Sequence, residues 1–336
     1  MKKIIIVSAL LSSLIFSAFM IASCGTNPSG TKATTPYIYC SMTSLQAIFI
    51  INGTTNTSLE PISCAPYDPY QLAASPDNKL IYSTTHSEEV IVIETGANTV
   101  EAEIYVPRSN YSPGIAVSHD GDYLYLTSSI STEIYKVFLT AGNTVEVAML
   151  QDFGTRLALN SDSTKAYVCL PNTLYKVEVV DLATMTGGTL VDVYNHPHDI
   201  TVGDGKAYVA VSSNPYNVAV INLSDDTVQV LTHHPTQVSS IVSIPGQNKV
   251  YAADHTSPGV IYIVDTTVPT IEEKTITDEA FSNPGYMAAT ANFAYVIDPD
   301  PHYKIAVIDV HQDKVDSYIY GYDSNSFDNN PVVIYK

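Results

Sequence analysis

The chain has 336 residues, of which 45% are hydrophobic and only 15% charged, enough apolar material for a large core under a sparsely charged surface. Its 34 acidic residues against 15 Lys and Arg give a formal net charge of −19. That field repels phosphate backbones and anionic headgroups, so no nucleic acid is expected as a partner.

The first element is an address. Lys2 and Lys3 precede an apolar run from Ile4 to Ile21, and small residues follow. This is the order of a secretory signal peptide, although the apolar run is nearly long enough to span a bilayer uncleaved. Ile21-Ala22-Ser23-Cys24 resembles the bacterial lipobox. The resemblance implies a signal peptide over 1–23 and a lipidated Cys24 as the first mature residue. Two or more acyl chains would make a membrane the first partner. Gly25, where an Asp would retain the protein at the inner membrane, favours the outer membrane or cell surface of a bacterial envelope. Residues 24–35 are rich in Gly, Ser, Thr and Pro and read as the lipidated Cys and a flexible tether.

From residue 36 to 336 one unit repeats. Apolar runs that end in a turn recur at 47–52, 90–95, 135–140, 176–181, 217–222, 260–265 and 304–309. Tyr39, Tyr82, Tyr125, Tyr167, Tyr208, Tyr251 and Tyr295 keep step with them. A period of about 43 residues is that of a four-stranded propeller blade. One repeat reads strand by strand: PYQLAAS, a Pro-Asp-Asn turn, LIYST, a polar loop, a wholly apolar VIVIE, and an alternating VEAEIYV. The first repeat begins directly at its second strand, YIYC, and the C-terminal NNPVVIYK matches the missing first strand. The expected fold is therefore all-β: a seven-bladed β-propeller of four-stranded antiparallel blades, its ring closed by the C-terminal strand completing the first blade.

The run PGIAVSHDGDYLYLTSS, with GNTVEV after the next apolar strand, resembles the YVTN-type β-propeller repeat family. The resemblance spans about 37–336. It implies the propeller fold, and it leaves function open among surface proteins, binding scaffolds, lactonases and haem-binding propellers.

Propeller ligands sit on the face that gathers the loops between blades and the loops joining second and third strands. Seven of nine histidines fall there. His196, His198, His234 and His255 belong to the fifth and sixth blades and are candidate metal or axial haem ligands, since imidazole suits zinc, copper, nickel and haem iron. Asp199 and Asp254 stand beside them, and Arg156, directly ahead of an inner strand, is a candidate for a carboxylate or phosphate. Asp298 and Asp300 offer oxygens but no calcium-loop pattern. There is no CxxCH, GxSxG, Walker loop or HExxH. The leading expectation is thus a non-enzymatic binding or interaction propeller for a protein or small molecule, without a catalytic residue or an assured cofactor. The alternatives are a propeller handling a transition metal or non-covalent haem, and a lactonase-like hydrolase. Cys40 and Cys64 share a repeat with a strand expected between them, so a disulfide would need Cys64 to bend over from its loop; Cys169 reads as a core thiol.

Overall fold

The computed structural model describes residues 35–110, 113–213, 216–231, 237–255, 259–298, 304–320 and 332–335. Its strands form seven four-stranded antiparallel sheets, each a blade. In blade 1 the order is the closing strand Val332–Tyr335, then Tyr37–Met42, Ala47–Asn52 and Thr57–Ser63. Tyr37 faces Tyr335 and Cys40 faces Val332, so the last strand of the chain supplies the inner edge of the first blade. Blades 2 to 7 follow in chain order, each with its inner strand first. The one helical element among the described residues is a short 3-10 turn at Thr43–Leu45.

Each blade is built by the same local rules. In the first hairpin of blade 2 the Asp77 carboxylate accepts from the Ser75 hydroxyl (2.7 Å) and the Lys79 amide (3.1 Å). Asn78 takes the left-handed conformation at φ 63°, which Asn tolerates better than most residues. The third strand, Glu89–Glu94, is covered on both faces, with Val90 to Ile93 no more than 6% exposed. The outer strand, Thr99–Tyr105, buries only Ile104. Hydrophobic clusters occupy the spaces between consecutive blades, so the core is a ring of interfaces.

Four of the seven periodic tyrosines latch neighbouring blades. The Tyr39 hydroxyl donates to Asn98 Oδ1 of blade 2, Tyr167 to Asp226 Oδ1 of blade 5, and Tyr251 to Asp313 Oδ1 of blade 7. Tyr295 of blade 7 donates to Asn56 Oδ1 and the Gly53 carbonyl of blade 1, at 3.1 and 3.3 Å, and so latches the ring. All four acceptors sit at φ between 50° and 56° in the outer hairpin of the next blade. Asn and Asp are among the few non-glycine residues at ease there, so one residue serves both the turn and the latch. Asp313 also takes Lys249 Nζ at 2.7 Å and Lys274 Nζ at 3.3 Å.

Cys40, Cys64 and Cys169 are free, buried thiols. Phe49 pairs with Cys40 across the sheet and Ile48 with Ile62, so the third strand separates the two cysteines of blade 1.

Candidate functional site

The inner strands converge on the channel. They open on apolar residues, Pro69, Ile115, Leu157, Pro197, Val238 and Met287, and a set of polar side chains lies immediately before or after these starts. Three of these strands carry a β-bulge at this end: between Pro69 and Leu72 in blade 2, Pro197 and Asp199 in blade 5, and Val238 and Ser240 in blade 6. A bulge re-aims side chains and is enriched beside functional sites. Here the shifts fall at Tyr70, Gln71, His198, Asp199 and Ser239. Arg156 and Tyr286 occupy the same level, directly ahead of the inner strands Leu157–Leu159 and Met287–Ala289 of blades 4 and 7.

Arg156 is the centre of the mouth. It comes from blade 4, donates from Nη1 to the Pro113 carbonyl of blade 3 at 3.0 Å, and lays its guanidinium over the Tyr286 ring of blade 7 at 4.2 Å. It is 8% exposed, yet none of the ion pairs among the described residues includes it. Asp199 and Tyr70 lie within electrostatic reach of it.

Asp199 is ringed by protein donors. Its Oδ2 accepts from Ser240 Oγ (2.9 Å) and the Ile241 amide (3.0 Å), and its Oδ1 accepts from the Ile200 amide (3.0 Å). The carboxylate therefore staples blade 5 to the inner strand of blade 6. Burial pushes its titration above the ordinary Asp range, and Arg156 with the three donors only partly reverses that.

Beside the mouth, between blades 5, 6 and 7, lies a cavity of about 210 Å³ lined by His198, Ser239, Ser240, His255, Asn283 and Tyr286. Two polar atoms in its wall, His255 Nδ1 and Ser239 Oγ, are buried without a hydrogen-bond partner among the described residues. His198 titrates below the ordinary His range, first from desolvation and then from the charges of His196, His255 and Arg156. It is therefore neutral at neutral pH and offers a nitrogen lone pair.

The sequence-level candidates separate as follows. Arg156, Asp199, His198 and His255 meet at the mouth and its cavity. His196 turns to blade 4, with Nδ1 3.1 Å from the Pro171 carbonyl and its ring 4.1 Å from that of Tyr175. Asp254 is 1% exposed, paired opposite Val238 and Val260, so it presents no open carboxylate. His234, Asp300 and Cys24 lie outside the described residues. Among the described residues no group of three or more His, Cys, Asp or Glu is placed to hold a metal ion. Asp298 is wholly buried; it pairs with Lys304 Nζ at 3.0 Å and accepts the Ser282 and Asn283 amides. Its oxygens fix the loop that leads into blade 7.

Tyr70, Tyr286, Ser239 and Asn283 carry no motif and are not singled out by sequence. The one available signal was positional, since Tyr286 stands ahead of its inner strand as Arg156 does.

The seven four-stranded antiparallel sheets define the molecule as a seven-bladed β-propeller. No protein-family model matches the chain, and a search of curated proteins returns no match. Solved structures share the fold. A functionally unknown protein from Desulfotomaculum acetoxidans aligns with TM-score 0.70 at 13% identity, covering 89% of this chain and 98% of that one. The dihydro-heme d1 dehydrogenase NirN in complex with DHE aligns with TM-score 0.66 at 12% identity, covering 90% and 78%. Hydrazine synthase of Kuenenia stuttgartiensis aligns with TM-score 0.65 at 14% identity, covering 75% and 86%.

Proposed function

We propose that this chain is a bacterial cell-envelope lipoprotein, anchored through Cys24, whose YVTN-type propeller is a non-enzymatic binding module. Its partner, a protein or small molecule, is taken at the channel mouth. The observation that carries this reading is the convergence of Arg156, Asp199, Tyr70 and Tyr286 from four blades beside a polar cavity. Elsewhere the blades are joined by apolar clusters, with polar latches at their outer hairpins. Polar groups gathered in a concave site fix ligand orientation. The lipobox and the Gly-, Ser-, Thr- and Pro-rich segment after it support the envelope address.

A second reading, a haem- or metal-handling propeller, is favoured by one feature: His198 and His255 line the same cavity, and the His255 Nδ1 is unpartnered. The likeness of fold to a dehydrogenase of dihydro-heme d1 agrees with it.

The test is the full chain expressed in a bacterium supplied with iron, copper, zinc and haem. Fatty-acid labelling and fractionation are done with Cys24→Ser as control, and visible spectra and elemental analysis with His198→Ala/His255→Ala. The binding-module reading expects label and membrane association that the Cys24 variant loses, and a colourless protein. Stoichiometric metal or a Soret band lost in the double variant makes the second reading correct. A chain that stays unlabelled and soluble refutes the anchor.

A further inference from the structure

Arg156 is a buried cation outside every ion pair of the described residues. A guanidinium carries five N–H donors and a charge that is never lost. Here it is 8% exposed, with the Pro113 carbonyl and the Tyr286 side chain as its hydrogen-bond partners, the Tyr286 ring beneath it and no carboxylate paired to it. Burying a charge without a paired counter-charge is costly. The remedy within reach, an ion pair to Asp199, is not taken: the two are not within ion-pairing distance, and Asp199 is occupied by Ser240, Ile241 and Ile200. Lys136, 7% exposed, likewise donates to a backbone carbonyl, that of Leu182, and lies over the rings of Tyr123 and Phe138, but it does not line the cavity. Lys304, Lys249 and Lys176 each hold a carboxylate at 3.0 Å or closer.

The cavity adjoins this charge. Tyr286 lines it and stacks on Arg156, His198 lines it and feels the Arg156 charge, and Ser240 lines it and holds Asp199. Its remaining wall is His255, Ser239, Asn283 and Gly285, with two buried polar atoms unpartnered among the described residues. No aliphatic side chain lines it. At about 210 Å³ it is below the roughly 300–1,000 Å³ of drug-sized sites, so its occupant is small.

We propose that the mouth binds a short hydroxy-carboxylate, with the carboxylate at Arg156 and the hydroxyl-bearing end between Ser239, His255 and Asn283. The anion supplies the counter-charge that the chain withholds from Arg156, and planar forked recognition of carboxylates is what arginine does better than lysine. The hydroxyls satisfy His255 Nδ1 and Ser239 Oγ. The chain's net charge of −19 opposes large polyanions and leaves a small monoanion as the species that reaches the charge. The proposal rests on the reading of the mouth as the binding site.

The test is calorimetric titration of the full chain in detergent with sodium glycerate, lactate, acetate and butyrate, and with glycerol, at matched ionic strength. Wild type is compared with Arg156→Met, Arg156→Lys and Ser239→Ala, each checked for folding by circular dichroism. Glycerate should bind at least tenfold more tightly than glycerol and than butyrate. Arg156→Met should lose tenfold or more, Arg156→Lys should lose an intermediate amount, and Ser239→Ala should weaken glycerate but not acetate. Equal binding of glycerate by wild type and a folded Arg156→Met overturns the proposal. Glycerol binding as tightly as glycerate overturns the carboxylate and leaves the mouth as the site. No heat from any probe, with no response to either Arg156 variant, overturns both.

Discussion

Replacing Lys304 with Met should be one of the most damaging single changes in the outer part of blade 7. Lys304 opens the third strand and Asp298 closes the second, directly opposite it in the ladder. Their ion pair is 3.0 Å long with side chains 4% and 0% exposed. The same carboxylate holds the Ser282 and Asn283 amides, both at 3.0 Å, so the loop into blade 7 hangs from it. Met keeps the length and apolar stem of Lys but leaves Asp298 charged and buried. Breaking a buried pair in this way costs about 3–5 kcal/mol. With an unfolding entropy of roughly 2.1 cal/mol/K per residue over about 300 residues, that lowers Tm by about 5–8 °C. Asp298→Asn combined with Lys304→Met removes both charges and keeps an acceptor for the loop, so it should recover most of the loss. The assay is urea and thermal unfolding of the wild type, both singles and the double. A Lys304→Met protein within about 1 kcal/mol of wild type, or a double variant no better than that single, would refute the reasoning.

Glu178 is wholly buried and accepts the Gln151 amide at 2.8 Å, and burial raises its titration above the ordinary Glu range. An acid raised in the folded state loses stability as pH climbs from its unfolded value, about 4.3, through the raised one. Glu178→Gln should therefore be more stable than wild type at neutral pH, with the advantage vanishing on acidification in a Tm-versus-pH series. Tyr295→Phe removes the latch to Asn56 and Gly53 and should cost about 1–3 kcal/mol in urea unfolding, leaving both acceptors in place but unmet. Burial pushes the thiols of Cys40 and Cys169 far up and that of Cys64 to about 12. In a Cys24→Ser chain a thiol reagent should find almost none of the three until denaturant is added; rapid native labelling would contradict their placement.

The propeller was legible because its information is periodic. The tyrosines at one strand position, the apolar third strands and the orphan C-terminal strand each recur or complete a pattern, and blades obey the same packing rule seven times. Arg156 was legible for a related reason, as a charge directly ahead of an inner strand. The rest of the site is a meeting of residues 70, 156, 199, 240 and 286, drawn from five blades at one level of the channel. Periodicity places the blades but not which side chain each aims at the axis, since that depends on bulges that shift register by one residue. Asp199 read as an open ligand group, and only the contact of blades 5 and 6 shows it stapled to Ser240. Asp298 likewise read as an oxygen donor in a polar loop, because its partner lies beyond the loop, at the start of the next strand.

The most direct measurement is the ligand-free stability of Arg156→Met. If Arg156 is kept at the mouth for a partner's charge, Met should fill the same space without the desolvation cost. Removing uncompensated buried charge is worth about 1–4 kcal/mol, a rise of roughly 2–6 °C in Tm for a ring of this size. A fall of similar size would make Arg156 a strut between Pro113 and Tyr286, and the mouth would lose its claim to be the binding site.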